Sequence, residues 1–185
     1  MQSLENHFLI AMPTMLDPSF KQSVTYICEH NDDGAMGLVI NHPTDFTVGQ
    51  LLDKVDIDND KASESAQSLV FAGGPVDTER GFVLHSTKYG FATSSALSEQ
   101  IMITTSKDVL ASLTTSQSPD SFLVTLGYAG WSAGQLESEL QQNAWLTIQA
   151  DPDIIFNTPA HLRWEKAIEM LGIDLAMLSH QVGHA

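Results

Sequence analysis

The sequence has few basic residues. Its 185 residues contain eight Lys and Arg against 23 Asp and Glu, which gives a formal net charge of −15 at pH 7. Nucleic-acid-binding proteins neutralise phosphates with clustered Lys and Arg, but here the only arginines are Arg80 and Arg163. We therefore expect no direct nucleic-acid binding. A basic protein partner, a metal ion or solubility alone accounts better for the charge.

The sequence also has little that would indicate a membrane or disulfide-stabilised protein. Cys28 is the only cysteine, so it cannot form an internal disulfide. No apolar run approaches the ~20 residues needed to span a bilayer, and residues 1–7 lack the basic segment of a signal peptide. With 43% hydrophobic residues the chain is typical of a globular protein. We predict one domain over residues 1–185, cytoplasmic and without membrane association.

Strong catalytic and metal-binding motifs are missing. The sequence contains no GxSxG elbow, Walker lysine, dinucleotide fingerprint or paired CxxC motif. Cys28 and His30 would share one face of a predicted strand, ~6.5 Å apart, and His85 from another strand could add a zinc ligand. A cysteine hydrolase would instead need His30, His42 or His85 as its base. Because too few metal ligands and no catalytic motif are present, we favour structural roles for Cys28 and these histidines. We expect no metal or cofactor.

The stretch from Gly127 to Glu137 is the most distinctive part of the chain. An apolar strand, Phe122 to Leu126, is predicted to enter it, and a helix from about Ala133 to Gln142 to leave it. Ser132 and Gln135 fit a capping box at the start of that helix. Gly127 and Gly130, between the strand and the helix, predict a loop.

This junction has two interpretations. It could bind an anion at the helix N-terminus, or it could be a packed corner with Tyr128 and Trp131 in the core. Glu137 and Glu139 would repel an anion, so we favour the packed corner.

Periodicity and capping signals predict interleaved strands and helices along the rest of the chain. Thr47 and Gln50 form a second capping box, which predicts a helix over Val48 to Val55. The acidic segment 56–68 is predicted to be a mobile surface loop, and residues 179–185 a frayed tail. The other predicted elements are strands at His7–Met12, Ser23–His30, Met36–Ile40, Leu69–Ala72, Gly81–His85, Ile101–Thr104 and Trp145–Ile148, and helices after Ser106, Thr158 and Asp174.

These elements predict a fold of the α+β class. Several strands are joined by tight connections, such as Asn31 to Gly34, which favours a mixed, largely antiparallel sheet over a doubly wound parallel one. Leu69–Ala72 and Gly81–His85 are predicted to pair with each other, connected by a loop over residues 73–80.

Several short motifs in a fixed order resemble the YqgE/AlgH family, over about Leu4 to Gly183. The motifs are Asn6-His7-Phe8-Leu9-Ile10-Ala11-Met12-Pro13, Gly34-Ala35-Met36-Gly37-Leu38-Val39-Ile40-Asn41, Gly73-Gly74-Pro75-Val76, Arg80-Gly81-Phe82-Val83-Leu84-His85, Gly127-Tyr128-Ala129-Gly130-Trp131, Gln135-Leu136-Glu137 and Asn143-Ala144-Trp145-Leu146. The resemblance implies a single domain whose bent mixed sheet curls into a pseudo-barrel with peripheral helices. It implies no established reaction; one branch is named for a regulatory role in alginate production, and members are often encoded beside a Holliday-junction resolvase-like protein.

Arg80 is the most informative single residue, because it is one of two arginines and follows a glycine-rich segment. It could bind a carboxylate or phosphate, or pair with a nearby acid such as Asp77 or Glu79, and we favour the pairing. The candidate interaction surface comprises Gly73, Gly74, Pro75, Arg80, His85, Gly127, Tyr128, Gly130 and Trp131.

Two functions follow from these residues. The first hypothesis is a non-catalytic regulatory or adaptor protein that contacts an unidentified protein partner. The alternative is a small-molecule sensor or hydrolase-type enzyme that uses the glycine-loop surface around Arg80.

Overall fold

A single ten-stranded sheet organises the molecule. The computed structural model describes residues 2–180. The strands are β1 (His7–Ala11), β2 (Val24–Asn31), β3 (Gly34–Val39), β4 (Pro43–Thr47), β5 (Leu69–Ala72), β6 (Val76–His85), β7 (Ser94–Ala96), β8 (Met102–Thr104), β9 (Phe122–Ser132) and β10 (Trp145–Gln149). The helices are α1 (Val48–Lys54), α2 (Glu64–Gln67), α3 (Lys107–Ser112), α4 (Gln135–Gln141), α5 (Pro152–Phe156), α6 (Arg163–Met170) and α7 (Leu175–His180), with a 3₁₀ turn at Ala160–Leu162 before α6.

The strand pairing confirms the predicted α+β class. The order is β10-β1-β2-β3-β9-β6-β8-β7, and a branch of β4 and β5 joins at β9. Among the described residues, only the β5–β9 pair is parallel. The sheet is curled into a half-barrel with helices around it, which confirms the predicted curled sheet.

β9 lies at the centre of this arrangement, because its two halves have different neighbours. Residues 129–132 pair with β3, whereas Thr125 and Leu126 pair with β5. β6 runs along the other edge, from His85 opposite Phe122 to Val76 opposite Tyr128. One long strand therefore joins the two parts of the sheet.

The predicted loop between Leu126 and the following helix is wrong. β9 continues through both glycines to Ser132, because β3 and β6 supply backbone partners along that stretch. The helix starts at Gln135, with Gly134 as a left-handed N-cap that makes no side-chain capping bond. Only half of the predicted capping box forms: the Ser132 N–H donates to Gln135 Oε1 at 3.0 Å.

The predicted pairing of Leu69–Ala72 with Gly81–His85 is also wrong. β5 pairs with β4 and β9, and β6 with β8 and β9, so β9 lies between the two strands. Residues 76–80 extend β6, so Arg80 is on a strand and not on a loop. The strand β4 and the helix α5 have no counterpart among the predicted elements.

The other capping predictions have mixed outcomes, since Ser106 precedes α3 but makes no side-chain capping bond. The Thr47–Gln50 capping box at α1 is confirmed, with both reciprocal bonds present. The segment 56–68 contains α2, whose Ser63 cap and buried Ala66 fix part of the predicted loop. Of the predicted frayed tail, residues 179 and 180 end α7, and residues 181–185, including His184, lie outside the described residues.

Three apolar clusters fill the space around the sheet. The largest packs α5 and α6 against β1, β2, β3 and β6. A second lies beneath α1 and α3 and includes Leu52, Val83 and Val124. The third surrounds Trp131 and Trp145 beside α4. Each helix group therefore covers one region of the curled sheet.

Candidate interaction surface

Three glycines of the predicted surface, Gly73, Gly74 and Gly127, lie where backbones cross. A Cβ on Gly73 would stand 2.4 Å from the Gly127 carbonyl oxygen, and a Cβ on Gly127 would stand 2.5 Å from the Gly74 carbonyl oxygen. Real Cβ atoms do not approach so closely. The Gly73 N–H donates to the Leu126 carbonyl at 2.8 Å. These glycines therefore allow the end of β5 to lie directly on β9, which is the packed-corner interpretation.

Trp131 belongs to a buried aromatic cluster beside α4. It packs with Phe20 and Trp145, whose ring centroids lie about 6 Å from its own. The indole N–H groups of Trp131 and Trp145 both donate to Glu139 Oε2, at 2.9 and 2.8 Å. Glu139 thus holds α4 against the ends of β9 and β10.

We expect Glu139→Ala to lower the free energy of unfolding by about 2 kcal/mol, because two largely buried indole N–H groups lose their acceptor. Urea unfolding followed by tryptophan fluorescence measures this loss. Glu139→Gln, which retains one acceptor oxygen, should cost about half as much. Glu165→Gln on the exposed side of α6 is the control, and equal stability of E139A and E165Q would contradict the role of Glu139.

The residues Cys28 and His30 do not form a common site. The β2–β3 register shifts between Ile27 and Glu29, so the simple alternation assumed for β2 breaks at Cys28. Cys28 is in the largest apolar cluster, and burial raises the pKa of its thiol. No group of three or more His, Cys, Asp and Glu residues suited to a metal occurs within residues 2–180.

His30 instead anchors the N-terminal segment. Its Nδ1 accepts the Leu4 N–H at 2.9 Å, so the neutral ring carries its proton on Nε2. Nε2 lies 2.6 Å from Glu137 Oε1 and donates to it. This hydrogen bond holds the pKa of the Glu137 carboxyl below its usual range. Both ring nitrogens are thus engaged in the scaffold.

His85 is fully buried and lies in a chain of hydroxyl groups. Its Nδ1 donates to the Ser86 carbonyl at 2.8 Å, and its Nε2 accepts from Thr104 Oγ1 at 2.7 Å. Ser94 Oγ lies 2.6 Å from the same Thr104 oxygen. A hydroxyl paired with a histidine has the composition of a nucleophile and its base. However, Thr104 has no exposed surface, so its hydroxyl cannot meet a substrate in this conformation.

Burial lowers the pKa values of His42 and His85. The unfolded chain takes up a proton on each ring below about pH 6.5 while the folded chain does not, so stability falls as pH falls through that value. We expect His85→Gln to weaken this dependence, measured by urea unfolding between about pH 7.5 and 5.5. His161→Gln, at an exposed position, should keep it. An H85Q variant with unchanged pH dependence would contradict this origin.

Arg80 is one of the residues that line a surface groove. The groove, called here the α1–β6 groove, lies between α1, the middle of β6 and the segment that joins β8 to α3. Its two connected parts have volumes of about 340 and about 820 Å³, and they share Leu51, Val55, Glu79 and Leu126. The apolar lining comprises chiefly Phe46, Leu51, Val55, Val83, Val124 and Leu126.

Three cations flank this apolar lining. Lys54, Arg80 and Lys107 are exposed and line the groove, and no carboxylate of residues 2–180 lies within ion-pair distance of any of them. The predicted pairing of Arg80 with Asp77 or Glu79 is therefore wrong. Its guanidinium lies over the Phe82 ring, 5.2 Å from the centroid.

The structure does not bring the nine predicted surface residues together. Tyr128 is half-buried against Phe82, and Pro75 and Gly130 are exposed. Gly73, Gly74, Gly127 and Trp131 have the packing roles described above, as does buried His85. Of the predicted residues, only Arg80 lines the groove.

Comparison with known proteins identifies the family. A family model described as AlgH-like, DUF179, matches residues 8–176. The chain belongs to the AlgH-like family. A UPF0301 protein of Pseudoalteromonas translucida is 68% identical over the whole of both chains, and one of Vibrio vulnificus is 55% identical over 99% of this chain and all of the relative.

Solved structures of AlgH-like and similar proteins agree with the fold. The solution structure of the AlgH protein from Pseudomonas aeruginosa superposes on this chain with a TM-score of 0.80, at 46% sequence identity over all of both chains. A protein of Corynebacterium diphtheriae has a TM-score of 0.74 over 97% of this chain and 93% of its own, at 18% identity, and so shows the fold alone. No helix in residues 2–180 is long and apolar enough to cross a bilayer.

The sequence interpretation missed the other groove residues. Lys54 ends α1 and Lys107 begins α3, and neither is among the nine predicted surface residues. Their scarcity was an available signal, since the whole chain has only eight Lys and Arg. Only the topology shows that they meet Arg80 at one groove.

Proposed function

We propose that this AlgH-like protein is a non-catalytic regulatory or adaptor protein that binds another protein in the α1–β6 groove. The observation that carries the proposal is the composition of the groove: an apolar lining flanked by three exposed cations without carboxylate partners. Apolar contact area provides affinity, and unpaired charges at its border select a partner.

Exposed apolar side chains support a binding role. Phe46 lies at the groove and is 43% exposed, and Leu126 and Val55 are partly exposed. Aromatic and arginine side chains often dominate the energetics of interfaces, and Phe46 and Arg80 line this one. The low cysteine content supports a cytoplasmic location for this activity.

Charge reversal of the groove tests the proposal. Immobilised wild-type protein and a Lys54→Glu, Arg80→Glu, Lys107→Glu variant are compared for quantitative capture of binding proteins from native lysate. The control variant, Lys21→Glu, Lys61→Glu, Lys166→Glu, changes the net charge equally at exposed positions that do not line the groove. We expect the groove variant to lose the captured proteins and the control variant to keep them. Equal capture by both variants would contradict the proposal.

The second candidate is a small-molecule sensor that uses the same groove. The smaller part of the groove, at about 340 Å³, is of the size that binds small ligands. A ligand that binds the folded state raises its melting temperature by mass action. A metabolite that raises the melting temperature of the wild type but not of the groove variant, together with no captured protein, would favour the sensor.

A further inference from the structure

We propose that the segment that occupies the α1–β6 groove is an acidic stretch of a protein partner with apolar anchor residues. This inference rests on the proposed function, and it specifies the chemistry of the partner. It depends on the charge distribution at the groove and on the form of its apolar lining, which are independent observations.

The groove is a local exception on an acidic molecule. Lys54, Arg80 and Lys107 are three of the eight Lys and Arg in a chain of formal net charge −15, and Arg163, a fourth, is buried. Because Asp45 and Glu79 also line the groove, its side chains carry a small net positive charge. We therefore expect most of the surface to repel an acidic segment and the groove to attract it, which selects the site.

The Arg80 guanidinium is available to a carboxylate. It lies over Phe82, a position that restricts its movement without using its N–H donors. No described residue accepts a hydrogen bond from it in the structure. A planar guanidinium in this state can bind one carboxylate through two parallel hydrogen bonds.

The apolar lining favours a peptide over other anions. Val83 and Val124 lie beneath the groove at 2% and 1% exposure. The accessible apolar surface therefore comes from Phe46, which is 43% exposed, and from the partly exposed Val55 and Leu126. A segment with a Leu, Ile or Phe side chain can place that side chain against these three residues. A nucleic acid has no such aliphatic groups, and three cations are too few to offset the surrounding acidic field.

Peptide selection tests the inference directly. A phage-displayed library of random peptides of about twelve residues is selected on the purified full chain, and binding of the selected peptides is measured by fluorescence anisotropy. We expect the selected peptides to be enriched in Asp and Glu around one or two large apolar residues. Their affinity should fall roughly tenfold or more in the Lys54→Glu, Arg80→Glu, Lys107→Glu variant and as salt rises from about 50 to about 300 mM.

Controls separate this inference from the proposed function. The Lys21→Glu, Lys61→Glu, Lys166→Glu variant should bind the peptides as the wild type does. A Lys54→Gln, Arg80→Gln, Lys107→Gln variant, which adds no negative charge, replaces the reversed variant if circular dichroism shows that the latter is unfolded. The inference would be overturned if no peptides were selected or if the selected peptides were neutral or basic. It would also be overturned if the groove substitutions did not change peptide binding. If cellular proteins are still captured through the groove in that case, the proposed function stands and only the acidic partner is wrong.

Discussion

Replacing Gly127 with alanine should destabilise the fold by about 3 kcal/mol or more. Gly127 has a φ of 77°, a conformation that costs an L-residue about 1 kcal/mol. In addition, the new Cβ would stand 2.5 Å from the Gly74 carbonyl oxygen. Since both atoms belong to crossing backbones, the contact cannot be relieved by a side-chain rotation. Urea unfolding followed by circular dichroism measures the loss.

Two other glycines separate the causes of this loss. Gly134 has a similar φ of 74° but nothing within 4 Å of its Cβ position, so Gly134→Ala should cost only about 1 kcal/mol. Gly130 lies on the same strand as Gly127, and its Cβ would make an ordinary 3.5 Å contact. Gly130→Ala should change stability by no more than about 0.5 kcal/mol. If G127A costs no more than G134A, the close crossing of β5 and β9 is wrong.

Arg163→Ala should cost about 3 kcal/mol. Arg163 is buried at 6% exposure, and its guanidinium lies over Phe71, 5.0 Å from the ring centroid. Nε donates to the Thr158 carbonyl at 2.9 Å, and Nη1 donates to the Ile40 carbonyl. Burial lowers its pKa to about 10, so the side chain is still charged at neutral pH. Alanine removes both donors and the contact of the guanidinium with Phe71.

Arg163→Met distinguishes hydrogen bonding from packing. Methionine retains most of the apolar contact and removes the cost of burying a charge, so we expect a loss of about 1 to 2 kcal/mol from the two carbonyl groups left without donors. Lys166→Ala, on the exposed side of α6, is the control and should cost less than about 0.5 kcal/mol. An R163M variant as stable as the wild type would show that the two hydrogen bonds add nothing net.

Some features determined by neighbouring residues could be predicted from the sequence, although the Ser132–Gln135 capping box forms only in part. The Thr47–Gln50 capping box depends on atoms three residues apart, and it forms as predicted. The α+β class followed from the tight connections, such as the Asn31–Gly34 hairpin, that favour antiparallel neighbours. The family motifs pointed to the same curled sheet.

Features determined by residues that are distant in the sequence could not be predicted. Gly127 and Gly130 indicated a loop, but β3 and β6 supply partners that extend β9 through both. β5 pairs in parallel with β9 and not with β6. This pairing depends on residues that are far apart in the sequence, such as Phe71 and Thr125, which are about 54 positions apart. Local pattern carries no information on which of two suitable strands will be adjacent.

The candidate site shows the same limit. Arg80 was found because arginine is rare in this chain, but its partners at the groove come from α1 and from the start of α3. Lys54 and Lys107 are 53 residues apart in sequence numbering, and no motif links them. Conversely, the glycines near Arg80 in sequence turned out to have packing roles at β9.

Site-specific photo-cross-linking in living cells tests the central claim most directly, namely that the α1–β6 groove binds a protein. A photoreactive phenylalanine analogue replaces Phe46 or Val55 in the groove, and Leu16 or Met177, at 82% and 71% exposure, outside it. We predict one or a few discrete protein adducts from the two groove positions and none from the other two. Equal cross-linking from all four positions, or no adducts from the groove, would contradict the claim.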